Sequence, residues 1–154
     1  MITNKKFDLT LLLSRVLLGV VILGHGVQKL LGWFGGYGFD GTMGFFTDTI
    51  GLPYVLGFLI IVAESFGMLA LILGLFGRFV AASLIVIMLG AIITTHGQFG
   101  FFMNWSGNLG GEGYEFHVLV IALSLVTAIN GSGAYSLDQF FFSKKESPKE
   151  PTYA

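Results

Sequence analysis

The sequence predicts an all-α membrane protein: a four-transmembrane-helix bundle with two long outward-facing loops and a short C-terminal interfacial helix. Of its 154 residues, 54% are hydrophobic and only 11% are charged, whereas soluble domains are about a quarter charged. Four apolar runs have lengths near those that cross a ~30 Å hydrocarbon core. A soluble fold of this size could not bury so much apolar surface, and the net charge of −1 provides no basic surface for nucleic acid.

The four predicted spans and their loops form a single domain, residues 1–143. The spans are residues 9–31, 53–75, 78–95 and 114–129. Pro53 suits the first turn of the second span, because its missing N–H is not needed there. Asn130 and Gly131 are typical of the end of a helix. Residues 144–154 are predicted to be a disordered cytoplasmic tail.

The two long loops, residues 32–52 and 97–113, are rich in glycine and aromatic residues and contain no lysine or arginine. Positive residues flank the other ends of the spans: Lys5, Lys6, Arg78, Lys144, Lys145 and Lys149. Cytoplasmic segments carry the excess of lysine and arginine. The sequence therefore predicts a bacterial inner-membrane protein with both termini in the cytoplasm and the aromatic loops outside.

Three polar residues near the end of the first span share one helical face. His25, Gln28 and Lys29 stand at i, i+3 and i+4. In one interpretation, Gln28 and Lys29 extend to the outer headgroups and His25 bonds a neighbouring carbonyl. In the other, all three line a polar pocket between helices that is reached from outside.

Glu64 lies at the midpoint of the second span, where a carboxylate is costly and needs a partner inside the bundle. Its candidate partners are Arg15, Lys29 and His25. One interpretation is a buried ion pair that fixes the register of two helices, with Arg15 as a candidate partner. The alternative is a protonated acid that shuttles protons or hydrogen-bonds a ligand, since burial without a cation favours the neutral form.

The start of the fourth span adds Glu115, a further candidate for the pocket. A carboxylate at a helix N-terminus is also favoured by the helix dipole alone. His117 stands two residues on and therefore points to roughly the opposite side, while His96 ends the third span at the same level. Two histidines on different helices could ligate a haem, but the paired intra-helix histidines of a two-haem bundle are missing. A zinc or di-iron site is not indicated either, because no Glu-x-x-His pair is present. No metal site is predicted, and the absence of cysteine excludes disulfides and Cys-ligated clusters.

These residues together resemble the DoxX family of small four-span membrane proteins. The resemblance extends from Arg15 to Asp138 and depends on the order and spacing of short motifs. They are His25-Gly-x-Gln28-Lys29-Leu30-x-Gly32-Trp33-Phe34-Gly35-Gly36, Gly41-Thr42, Gly51-x-Pro53, Glu64-x-x-Gly67, Gly74-x-x-x-Arg78, Gly100-Phe101-Phe102, Tyr114-Glu115-Phe116 and Gly131-x-Gly133-x-x-Ser136-Leu137-Asp138. The resemblance implies a four-helix inner-membrane protein in which His25, Lys29, Glu64 and Glu115 are family-level polar positions.

The family's name implies a link to redox chemistry, because it comes from similarity to a membrane subunit of a thiosulfate:quinone oxidoreductase. By this analogy we expect a membrane subunit or anchor of a redox system, whose polar pocket contacts a quinone. Without haem, flavin or thiol motifs, we expect it to work in the bilayer with other membrane subunits or as a homo-oligomer, and not as an enzyme on its own. The alternatives are a structural or interaction subunit, and a small transporter or assembly chaperone.

Overall fold

The computed structural model describes residues 4–142, and all regular secondary structure within this range is helical. The α-helices are α1 (Lys5–Leu31), α2 (Gly38–Gly44), α3 (Tyr54–Leu73), α4 (Gly77–Phe99), α5 (Glu115–Asn130) and α6 (Leu137–Phe142). The predicted all-α class is therefore confirmed for the described residues. The predicted disordered tail, residues 144–154, lies outside them.

Three of the helices, α1, α3 and α4, are long and apolar enough to cross a membrane. Helix α5 is also apolar but has 16 residues, which corresponds to about 24 Å. Helix α1 begins at Lys5, four residues before the predicted span, because the Asn4 side chain accepts a hydrogen bond from the Phe7 N–H (3.4 Å) and caps the helix. Three membrane-span-capable helices are thus established among the described residues.

Three wide, π-helical turns interrupt the regular helices. They are Phe45–Thr49 after α2, Ala63–Gly67 inside α3 and Ile92–His96 near the end of α4. A closing 3₁₀ turn, Gly97–Phe99, carries α4 past residue 95, where the predicted third span ended. Such turns are rare and often occur at functional sites.

The core of the bundle lies where α1, α3, α4 and α5 meet. Helix α1 contacts both α3 and α5, and α4 packs along α5. The close contacts between α3 and α4 come from the part of α3 that begins at Ala63. The main buried apolar cluster comprises Leu18, Ile22, Met68, Leu71, Val80, Ala81, Leu84, Met88 and Val120.

The two ends of the bundle differ. We call the end with residues 32–53 and 100–114 the loop end, and the end with the α3–α4 turn, the start of α1 and α6 the turn end. At the turn end the Asp138 N–H donates to the Gly74 carbonyl (2.9 Å) and the Ala134 N–H donates to Asp8 (3.1 Å). Both limits of the described chain therefore lie at the turn end.

The first long loop is partly helical and partly buried. Helix α2 packs against α1 and α3, and it buries Thr42 and Met43. Phe46, in the following π turn, forms a second small apolar cluster with Met43 and Ile61 of α3. This segment therefore lies against the N-terminal half of α3.

Candidate functional site

Lys29 of α1 and Glu64 of α3 form an ion pair. The Glu64 side chain is 2% exposed and the Lys29 side chain 29% exposed. Lys29 therefore turns inward to Glu64 instead of extending to the outer headgroups. Of the three partners considered for Glu64, the structure selects Lys29.

The approach of α1 to α3 depends on Gly26. A Cβ atom there would clash with the Glu64 carbonyl oxygen, so only glycine permits the observed contact. Glu64 also lies in the π turn Ala63–Gly67, next to the buried hydroxyl of Ser65, which has no hydrogen-bond partner. The glycine and the wide turn together position the carboxylate beside Lys29.

A groove of about 730 Å³ runs between α3 and α4, and the ion pair forms part of its wall. This volume is in the range of small-molecule sites, which are mostly apolar with a few polar groups. Its apolar wall includes Phe46, Leu56, Leu59, Ile60, Ala63, Phe79, Val80, Val86, Ile87 and Ala91. Its polar wall consists of Lys29, Glu64, Ser83, Thr94, Thr95 and His96.

All three π turns of the described chain line this groove. Phe45 and Phe46 come from the first turn, Ala63, Glu64 and Gly67 from the second, and Thr94, Thr95 and His96 from the third. The groove is therefore the place where the irregular backbone of three separate segments converges.

A second cavity of about 390 Å³ adjoins the groove at the loop end. It shares Phe45, Ile50, Thr94 and Thr95 with the groove. It adds the polar side chains of Thr49 and Gln98. This cavity forms a polar mouth to the groove.

His96 and His117 lie side by side near this mouth. Their ring centroids are 4.2 Å apart, and His96 Nδ1 lies 2.9 Å from the Glu112 carbonyl oxygen. His117 is buried, and its Nδ1 has no partner. Among the described residues, no three or more histidine and acidic side chains are arranged to hold a metal ion.

His25 and Gln28, the other two predicted residues near the end of α1, make contacts outside the groove. The exposed side chain of His25 has its ring 5.7 Å from that of Phe116. The Gln28 amide donates to the Phe34 carbonyl (3.2 Å) in the adjoining loop. Neither residue lines the groove.

Glu115 contacts the second long loop. Its Oε1 accepts hydrogen bonds from the Met103 N–H (3.1 Å) and the Trp105 Nε1–H (3.3 Å). Glu115 and His117 point in different directions, as their spacing predicts, but it is His117 that lies inside the bundle. The structure therefore places Glu115 as an anchor for the loop and not at the groove.

Arg15 lies at the turn end and not beside Glu64. The guanidinium is buried and donates to the carbonyls of Leu71 (3.1 Å), Ile72 (2.5 Å) and Tyr135. It thereby joins α1 to the end of α3 and to the segment before α6. Arg15 fixes helix ends, while Lys29 takes the role of counter-ion to Glu64.

Asp138 holds the α3–α4 turn at the same end. Its carboxylate accepts hydrogen bonds from the N–H groups of Phe76 (2.7 Å) and Gly77 (3.1 Å) and from the Ser132 hydroxyl (2.7 Å). Burial acts to raise the pKa of the Asp138 carboxyl. The three hydrogen bonds and the nearby Arg15 charge outweigh burial, so the pKa lies below its ordinary value of 3.8.

Sequence reasoning missed the polar groups of the third π turn, Thr94 and Thr95, and gave His96 little weight. The signal available was a Thr-Thr-His run at the end of an apolar span, at the level of Lys29. Helical spacing could not place it on the groove, because the π turn rotates these side chains relative to a regular helix.

The sequence profile of the DoxX family matches residues 10–97, which is more than half of the chain. The chain belongs to the DoxX family. The match includes most of α1, all of α3 and nearly all of α4, and with them Lys29, Glu64 and His96. Family membership and the apolar helices together identify a membrane protein.

A relative extends the similarity over nearly the whole chain. The Bacillus subtilis (strain 168) protein named "Putative oxidoreductase CatD" is 32% identical over 143 residues, which cover 93% of this chain and 95% of that protein. No solved structure matches this DoxX protein.

Proposed function

We propose that this DoxX protein is the membrane subunit or anchor of a quinone-linked redox system, and that the groove between α3 and α4 binds the quinone. The single observation that carries the proposal is the Lys29–Glu64 pair on the wall of a mostly apolar groove. The name of the Bacillus subtilis relative, an oxidoreductase, supports the same class of function.

The chemistry of the groove fits a quinone. A quinone head has carbonyl acceptors on an apolar ring, and its redox chemistry exchanges protons. Lys29 offers N–H donors, Glu64 offers a carboxylate that can accept or return a proton, and the apolar wall excludes water around them. The electrons come from a partner subunit that docks on the membrane domain.

In this proposal α5 forms a fourth span, both termini face the cytoplasm of the bacterial inner membrane, and the groove's polar mouth faces outward. The distribution of positive residues supports this orientation: Lys5, Lys6 and Arg78 all belong to the turn end. The loop end, from residue 32 to residue 53 and from residue 100 to residue 114, contains none.

A structural subunit is the second candidate, and it is favoured by the same ion pair. The pair joins the last turn of α1 to the middle of α3, close to where Gly26 brings the two backbones together. In that role the charges would fix helix register and bind nothing.

The test is direct quinone binding. The protein is purified in mild detergent, and bound lipids are extracted and analysed for quinones by absorbance and mass spectrometry. Added quinone is then titrated against the wild type, Glu64→Gln and the double variant Lys29→Met/Glu64→Leu, with Lys6→Met as a control. Lys6 is an exposed lysine on the same helix at the opposite end.

We expect co-purified or titratable quinone in the wild type and in Lys6→Met, and at least a tenfold loss in the groove variants, because a lost charge-assisted hydrogen bond costs about 1.5–3 kcal/mol. Folded groove variants that bind quinone as well as the wild type would refute the proposed site. No quinone in any form of the protein, together with unfolding of Glu64→Gln, would favour the structural subunit.

A further inference from the structure

The groove opens sideways, between two helices that are long enough to cross the bilayer. Four exposed apolar residues of its wall lie on α3 and α4 and mark the long sides of the groove: Leu56, Leu59, Phe79 and Val86. The other two exposed lining residues, Phe45 and Thr94, lie at the loop end, beside the polar mouth. The four apolar residues lie along helices whose outer faces contact lipid if the helices span it. The long sides of the groove therefore face the hydrocarbon core.

The groove also extends along most of a span. It runs on α4 from Phe79, near the turn end, to His96, near the loop end. These residues are about 25 Å apart at 1.5 Å per residue, compared with a hydrocarbon core of ~30 Å. A compact polar solute would fill little of such a groove, whereas an amphiphile with a long apolar tail would follow it.

Gly90 keeps the middle of the groove open. It lines the groove, and a Cβ atom at this position would meet no heavy atom within 4 Å. A larger side chain would therefore project into open space instead of into a packed neighbour. The glycine is not needed for helix packing, in contrast to Gly26.

The charge of the wall indicates which kind of head the groove accepts. Lys29 and Glu64 neutralise each other, and the remaining polar lining is hydroxyl groups and the His96 ring. A phosphate-bearing lipid head would need a cation that is not already paired. A neutral head with carbonyl acceptors needs only the donors that Lys29 and the hydroxyl groups offer.

We propose that the groove is a lateral portal through which a neutral, isoprenoid-tailed quinone enters from the bilayer, and that Gly90 is the specificity-determining position that leaves room for the tail. The head lies at Lys29 and Glu64 and the tail lies between α3 and α4. This inference depends on the proposed function and goes further, since it assigns the route and the tail site.

The experiment compares Gly90→Phe with Gly24→Phe. Gly24 is a matched control because it lies inside α1, a Cβ there also meets nothing within 4 Å, and it does not line the groove. Each protein, reconstituted in phosphatidylcholine nanodiscs, is titrated with an isoprenoid-tailed quinone and with the same ring lacking the tail. Circular dichroism and thermal unfolding verify that both variants are folded.

We expect the wild type and Gly24→Phe to bind the tailed quinone better than the tail-less ring. Gly90→Phe loses about tenfold or more for the tailed quinone, because a bulky ring competes for the same space. The tail-less ring changes less than about threefold, because it reaches the ion pair through the mouth at Thr49 and Gln98. Gly90→Ala falls between, and it provides a graded test if the phenylalanine variant is unstable.

The outcomes separate the two proposals. If the wild type binds neither quinone, both proposals fail. If the wild type binds both quinones and Gly90→Phe weakens the binding of neither, or of both by the same factor, the quinone site is supported but the portal and the tail site are wrong. If native mass spectrometry finds that Gly90→Phe displaces a tightly held phospholipid while quinone binding is unchanged, the groove is a structural lipid site.

Discussion

Breaking the Lys29–Glu64 pair from each side should produce unequal losses of stability. Lys29→Met leaves the Glu64 carboxylate, which is only 2% exposed, without a counter-ion. A buried charge without a partner lowers the free energy of unfolding by about 3–5 kcal/mol. Glu64→Leu leaves Lys29, whose side chain is 29% exposed and whose long stem can carry the ammonium group toward water. We expect that loss to be smaller, about 1–3 kcal/mol.

The double variant Lys29→Met/Glu64→Leu should recover most of the loss. Replacing a buried ion pair by apolar side chains of similar size is often neutral, so we expect it within about 1 kcal/mol of the wild type. The coupling energy should then be at least about 3 kcal/mol, which is already the upper end of the usual range for residues in contact.

Reversible unfolding in mixed detergent micelles, followed by circular dichroism, measures these free energies. Lys6→Met is the control for the loss of a positive charge. Strictly additive single losses in the double variant would mean that the pair contributes no coupling, and equal losses in the two single variants would refute the argument from unequal burial.

Three further predictions follow from the packing of α1, the second loop and the turn end. Gly26→Ala should lower the free energy of unfolding by about 1–3 kcal/mol in the same assay, because its methyl group overlaps the Glu64 carbonyl. Gly24→Ala should leave the free energy of unfolding unchanged, since its methyl group meets no neighbour. Equal losses in the two variants would contradict the close approach of α1 to α3 at Gly26. Glu115→Ala should speed hydrogen exchange in residues 97–113, because Glu115 anchors this loop, and it should leave quinone binding unchanged. Loss of quinone binding without faster exchange in the loop would instead mean that Glu115 acts at the groove. The contribution of the ionised Asp138 carboxylate to stability should be complete above about pH 4 and be lost as the pH falls through its lowered pKa. The unfolding free energies of the wild type and Asp138→Asn should therefore converge in acid. A constant difference between them across that pH range would refute this role of Asp138.

Sequence reasoning could predict the helical class and the identity of the charged groups, because both depend on composition and local spacing. A carboxylate inside an apolar run needs a partner wherever the fold places it. The sequence therefore identifies Glu64 as a residue that needs a partner, and it offers a short set of candidate cations. The choice among Arg15, Lys29 and His25 could not be made in this way. It depends on the axial position of α1 relative to α3. The close contact of Gly26 with the Glu64 backbone sets that position, and the two residues are 38 positions apart in sequence.

A polar pocket between helices is one interpretation of the sequence, but the residues that line the groove could not be predicted, because three backbone irregularities contribute to its wall. A regular helix repeats every 3.6 residues, and the spacing rules used for His25, Gln28 and Lys29 assume that repeat. The π turns break it at Phe45–Thr49, Ala63–Gly67 and Ile92–His96.

The geometry of the ion pair permits it to be a structural bond and a ligand site at the same time. Its carboxylate lies against α1, where it fixes register, while Lys29 retains an exposed fraction on the groove wall. Removing both charges separates the two roles, since apolar replacements can restore packing but offer no hydrogen bond to a ligand. A double variant that is as stable as the wild type but binds no quinone would show that the pair is needed for binding. One that retains binding would show that the apolar wall alone holds the ligand.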